Sequence, residues 1–228
     1  MPDVIINGPE GRIEGRYHHA RGGTAPMALV LHPHPLHGGG TMNNKLVYTL
    51  YQCFVRRGFS TLRFNFRGVG RSQGSFDRGE GELADAAAAL DWLQGYNPNA
   101  ATCWIAGYSF GAWIGMQLLM RRPEIDSFIA AAPPANQYDF TFLAPCPSSG
   151  LILHGDADTL VPIEAVQKLV HKLAHQRDIK IDFRKISGAD HSFADEAEAV
   201  AAHVEGYIAE HARLAGEVQS AGSHGRGR

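Results

Sequence analysis

Apolar residues along the chain fall into short continuous runs and longer helical stripes that take turns. Residues 4–7 and 12–19 read as β-segments, and the apolar run 27–32 ends in a loop dense in proline and glycine. Residues 42–57 are compatible with helix, Gly58 closes that stretch, and 59–66 is rich in β-formers. The alanine-rich segment 80–96 sets Leu83, Ala87, Leu90 and Leu93 or Trp92 at helical spacing. The alternation continues with strand 102–106, helix 110–120, strands 127–132 and 151–154, helix 163–175, strand 179–186 and helix 194–214. Strands that alternate with helices need crossover connections. The predicted class is therefore α/β, with a mostly parallel central sheet covered by helices on both faces.

No internal repeat interrupts this pattern, and 228 residues suit one sheet around one core. A single domain is expected over residues 1–215. The remainder, 216–228, ends in SAGSHGRGR and has too few apolar residues to pack, so it is expected to be a disordered tail.

Composition narrows the partners. With 44% hydrophobic and 19% charged residues the chain matches ordinary soluble proteins. A net charge of -2 supplies no basic field for a phosphate backbone, so no nucleic-acid partner is expected. The opening MPDVIINGPEGRIEGRY lacks a basic region followed by an apolar run, and no stretch of about 18 apolar residues occurs, so no membrane partner is expected either. Cys53, Cys103 and Cys146 are odd in number and lack metal-site spacing, and they read as thiols of a cytoplasmic protein.

The sharpest chemical signal is Gly107-Tyr108-Ser109-Phe110-Gly111, set between a predicted strand and a predicted helix. Glycines on either side permit a turn so tight that the serine hydroxyl is pushed out above the sheet, beside the free N–H groups of a helix start. A serine nucleophile needs a base and an orienting carboxylate, in the chain order serine, acid, histidine. His154-Gly155-Asp156-Ala157-Asp158 begins where a strand ends, and Gly188-Ala189-Asp190-His191-Ser192-Phe193 follows the last strand. Asp158 is chosen over Asp156, which follows the strand at once and suits a turn anchor. Ser109, Asp158 and His191 thus form the predicted catalytic set of an α/β-hydrolase fold. The oxyanion hole is expected from the Phe110 N–H and from an N–H of the loop His32-Pro33-His34-Pro35-Leu36-His37-Gly38-Gly39-Gly40. Neither proline has an N–H, so His34 leads and Leu36 is the reserve.

No cofactor and no metal are expected. His32, His34 and His37 lack a further ligand and a regular scaffold for zinc. Gly68-Val69-Gly70-Arg71-Ser72-Gln73-Gly74 is one residue too long for a dinucleotide fingerprint, and residues 40–45 lack the glycine before the lysine of a phosphate-binding loop.

Taken together, HPHPLHGGGTMNNK at 32–45, LRFNFRGVGRSQGSFDRGEGE at 62–82, GYSFG, HGDADTLVP and GADHSF resemble the small lidless α/β-hydrolases related to dienelactone hydrolase. The resemblance implies carboxylester hydrolysis with Ser109, Asp158 and His191 as the triad, although dienelactone hydrolase itself uses cysteine where serine stands here. About 16 residues between Ala132 and Ser149 leave no room for a helical lid, which implies small acyl groups and a small-molecule ester substrate. Pro133, Tyr138, Phe140 and Phe142 in that connection are candidates for an acyl wall. The alternatives are a thioesterase, an amidase or peptidase with the same triad, and a binding protein of low turnover on the same fold.

Overall fold

A computed structural model describes residues 2–176 and 179–223, with 212–223 described as backbone only. Eight strands form one sheet: β1 (Asp3–Gly8), β2 (Gly11–His18), β3 (Met27–Leu31), β4 (Ser60–Phe64), β5 (Cys103–Tyr108), β6 (Ser127–Ala131), β7 (Gly150–Gly155) and β8 (Ile181–Ile186). Their order across the sheet is β1-β2-β4-β3-β5-β6-β7-β8. The β1–β2 and β2–β4 pairs are antiparallel and every later pair is parallel. Five helices connect or follow the strands: α1 (Lys45–Arg56), α2 (Glu80–Tyr96), α3 (Phe110–Leu119), α4 (Ile163–Ala174) and α5 (Ala197–Ser223).

Strand alternation sorts the core into two layers. Leu29, Leu31, Ile105 and Ile152 face one side with Leu90, Leu93, Met116 and Leu169 of α2, α3 and α4. Ala28, Val30, Trp104 and Leu153 face the other side, with Leu50 and Phe54 of α1 and Val200 and Val204 of α5. Each fully buried leucine contributes about 1.5–3 kcal/mol of apolar transfer. Parallel strands covered on both faces place all their connections at the two ends of the sheet, and the loops after β3, β5, β7 and β8 share one end.

Most boundaries shift by one to three residues from the sequence reading, and two of the differences bear on the argument. Helix α1 starts at Lys45 rather than 42, because Asn44 caps it by accepting the N–H groups of Leu46 and Val47 at 2.9 and 3.4 Å. Helix α5 continues past Leu214 to Ser223, so residues 216–223 of the expected tail have helical backbone. No proline interrupts that stretch, although Gly216 and Gly222 are weak helix formers. Residues 224–228 lie outside the described residues. The connection 132–149 holds only the 3-10 turn Thr141–Leu143.

Candidate active site

One residue separates β5 from α3, and it is Ser109, with φ 52° and ψ -118°. Side chains rarely occupy this region, and surrounding structure must impose it. The Ser109 N–H donates to Ala131 O at 2.8 Å, while the N–H groups of Ala112 and Trp113 donate to Ser109 O. A Cβ on Gly107 would lie 2.3 Å from Gly111 O, and one on Gly111 would lie 2.5 Å from His32 O. The two motif glycines therefore let α3 close down on its own strand and on the end of β3.

The sheet end brings the three predicted residues together. His191 Nε2 lies 3.0 Å from Ser109 Oγ, and His191 Nδ1 lies 2.7 Å from Asp158 Oδ2. An ionised carboxylate only accepts, so Nδ1 carries the proton and Nε2 presents its lone pair to the serine hydroxyl. Asp158 Oδ1 is occupied separately, by the N–H groups of Leu160 at 2.9 Å and Val161 at 2.8 Å. Burial alone would raise the Asp158 pKa. Hydrogen bonds from His191 and Val161, with the electrostatic attraction of the carboxylate to the His191 and His154 rings, outweigh it and hold the carboxyl below its ordinary value. Asp156 points elsewhere: its Oδ1 accepts the Gly188 N–H at 2.6 Å, and it faces Lys185.

Two supports were not singled out from the sequence. Tyr108 lies on the opposite sheet face from Phe110, among the residues that pack on α1 and α5, and its hydroxyl donates to His191 O at 2.8 Å. Buried His154 donates from Nε2 to Val161 O at 2.8 Å and stands 3.7 Å from Asp158 Oδ2. Tyr108 could have been found from its parity in the strand beside the serine. Nothing in the sequence marks His154, whose use depends on the return of the loop to Val161.

Phe110 opens α3, so its N–H has no acceptor within the helix. Of the two loop candidates, His34 lines the cleft above Ser109. Leu36 is 68% exposed and its N–H donates to His34 Nδ1 at 3.2 Å. The cleft measures about 390 Å³ and is bordered by His34, Phe110, Tyr138, Leu160 and His191. Of the four candidate wall residues, Tyr138 reaches it, stacked 4.3 Å over Trp113, whereas Phe140 is buried in the core with Phe142 beside it and Pro133 is buried.

The loop histidines do not converge. Both ring nitrogens of fully buried His32 are engaged, with Pro33 O at 2.7 Å and the Phe66 N–H at 3.0 Å. His34 has its Nδ1 on Leu36, and its ring stacks on His37 at 4.3 Å. Among the described residues no helix is long and apolar enough to cross a membrane, and the three cysteines are buried and unpaired.

Comparison with known proteins places this arrangement among relatives. Residues 17–221 match the model of the X-Pro dipeptidyl-peptidase (S15) family. An uncharacterized protein of Rickettsia prowazekii is 56% identical over 212 residues, which cover 91% of this chain and 89% of that one. The crystal structure of a protein of unknown function from Agrobacterium tumefaciens, described as a candidate α/β-hydrolase, is 57% identical with a TM-score of 0.90, covering 95% of this chain and 98% of that one. A Xanthomonas campestris protein described as an α/β serine hydrolase without a lid is 29% identical with a TM-score of 0.82, covering 92% and 94% of the two chains.

Proposed function

The chain belongs to the X-Pro dipeptidyl-peptidase (S15) family and has the α/β-hydrolase fold, and from this premise we propose that it hydrolyses small carboxylic esters through an acyl-enzyme on Ser109. The observation that carries the reading is the hydrogen-bonded line from Ser109 Oγ through His191 to Asp158, at 3.0 and 2.7 Å, opening into a cleft beside a connection, residues 132–149, that holds only a 3-10 turn. In this reading His191 Nε2 takes the Ser109 proton as Oγ attacks the carbonyl carbon, and Asp158 steadies the imidazolium that forms. The N–H groups of Phe110 and His34 receive the developing oxyanion. His191 then protonates the leaving alcohol, and water repeats the sequence on the acyl-enzyme. A cleft of about 390 Å³ suits short acyl groups. A cytoplasmic setting and kinship with the dienelactone hydrolases belong to the same proposal.

The family match favours one second reading, cleavage of an amide bond next to proline by the same three residues. A panel of nitrophenyl esters of rising chain length, a thioester, a lactone and an aminoacyl-proline nitroanilide separates the readings by kcat/KM. The acetate to butyrate esters are expected to lead. Ser109→Ala is expected to lower their kcat/KM by about 10⁴-fold or more with an unchanged melting temperature. Preference for the anilide selects the peptidase reading, and a Ser109→Ala variant that keeps activity within about tenfold of the parent overturns both.

A further inference from the structure

Residues 62–82, the longest motif in the sequence, take no part in the proton path from Ser109 to Asp158, yet they hold the loop opposite it. That loop runs over residues 32–44, and both of its ends are tied to the segment 63–67. At its exit, Asn65 Oδ1 accepts the Met42 N–H at 2.8 Å, and the Arg63 guanidinium donates to Met42 O and, at 2.8 Å, to Asn43 Oδ1. At its start, the Phe66 N–H donates to His32 Nε2 at 3.0 Å, and His32 Nδ1 lies 2.7 Å from Pro33 O. A backbone amide can only donate. The Nε2 atom therefore carries the lone pair, and the ring proton sits on Nδ1, from which it is donated to Pro33 O.

The Pro33 carbonyl and the His34 N–H belong to one peptide unit. In a planar trans peptide the C=O and N–H point in opposite directions, so whatever fixes the carbonyl aims the amide. His32 holds the carbonyl on the buried side and thereby turns the His34 N–H away from it. The holder is itself braced. Arg67 meets Asp85 of α2 through its backbone N–H at 2.9 Å and through Nε and a terminal nitrogen at 3.0 and 2.8 Å, with both side chains buried. Buried Glu82 accepts the N–H groups of Asp77 and Gly79, closing the far end of the same segment. Phe76, carried between these anchors, stands 4.8 Å from the His34 ring.

We infer that His32 is a positioning residue that sets the Pro33–His34 peptide plane, so that the His34 N–H serves as the second oxyanion donor, with residues 63–85 as the template that fixes it. The inference rests on the serine-hydrolase reading of the cleft. An oxyanion donor acts only when it stands about 2.7–3.1 Å from where the charge develops, so a turned peptide removes it outright.

Two substitutions divide the two bonds of His32. His32→Asn keeps a donor at the Nδ1 place, facing Pro33, while His32→Gln keeps an acceptor at the Nε2 place, facing Phe66, and leaves Pro33 unheld. On a short-chain nitrophenyl ester His32→Gln is expected to lower kcat by about 10–100-fold with little change in KM, and to weaken a trifluoromethyl ketone in the same proportion. His32→Asn is expected to recover most of that loss. A His32→Gln variant with kcat within about twofold of the parent overturns the inference. The unaltered protein supplies a test independent of folding: with ¹⁵N label, formation of the ketone adduct on Ser109 should shift the His34 and Phe110 amide protons downfield. An adduct that moves Phe110 but not His34 overturns this inference and leaves the proposed function standing, whereas absence of any adduct on Ser109 overturns both.

Discussion

The two sides of the cleft are assembled on different plans. On the side of the proton path, Ser109, Asp158 and His191 each sit just beyond a strand end and touch one another directly, at 3.0 and 2.7 Å. On the side proposed to receive the oxyanion, the loop 32–44 touches no part of that line through its own anchors. It is hung from residues 63–67, which are in turn clamped to α2 through Arg67 and Asp85. The first side is a short chain of functional side chains. The second is a backbone conformation maintained by the buried groups His32, Arg63, Asn65, Arg67 and Asp85. Damage to the first should therefore remove chemistry and leave folding intact, while damage to the second should disturb both.

The sharpest way to break this contrast is at the two neighbouring carboxylates. Asp158→Asn retains an oxygen for the Leu160 and Val161 amides and sets an NH₂ against His191 Nδ1–H, which forces the wrong tautomer. The expected loss in kcat is about 10⁴-fold. Asp156→Asn keeps an oxygen for the Gly188 N–H and loses only the charge that faces Lys185, and ester kinetics should change by less than about threefold. If Asp156→Asn proves the more damaging in steady-state assays, the acid has been misassigned.

The buried side titrates against folding. Burial, only partly offset by the bond to Pro33, pulls the His32 pKa from 6.5 down to about 4. The unfolded chain thus binds a proton between those values that the native state refuses, and stability falls as pH drops through that interval. The contribution is about 2–3 kcal/mol by pH 4.5. Urea midpoints measured at pH 7 and pH 4.5 should separate by less in His32→Gln than in the parent. Equal separations would show that His32 does not carry this slope.

The smallest effect expected is at Tyr108, whose hydroxyl restrains the backbone of the histidine loop and nothing else that reacts. Tyr108→Phe should lower kcat by about two- to tenfold and leave KM unchanged. A larger loss, or one confined to KM, would mean that the tyrosine meets substrate.

The same contrast explains how far the sequence could be read. Helix α2 was legible at both ends and the strands to within a few residues, because each depends on spacing within its own segment. That Asp158 rather than Asp156 meets His191 was legible for the same reason: two residues of extra reach beyond the strand separate them. His32 was not, because its partner Phe66 is 34 residues away, and a histidine two positions from another histidine looks like a ligand before its hydrogen bonds are known. The start of α1 was misread because residues 42–43, helix-compatible by type, are spent anchoring the loop to Asn65 and Arg63. The aromatic wall reduced to Tyr138 because Phe140 found more contact in the core than at the cleft.

Backbone torsion alone points to the same edge of the sheet. Among the described residues four that are not glycine have positive φ: Arg78, Ser109, Ala132 and Phe193, at 54°, 52°, 44° and 49°. Ser109 follows β5, Ala132 follows β6, and Phe193 closes the loop after β8. Each such conformation costs on the order of 1–3 kcal/mol and persists only where its surroundings enforce it. An observer given a list of φ angles, and told nothing of side chains or motifs, would mark this rim as the place where the molecule has given up ease of folding for something else.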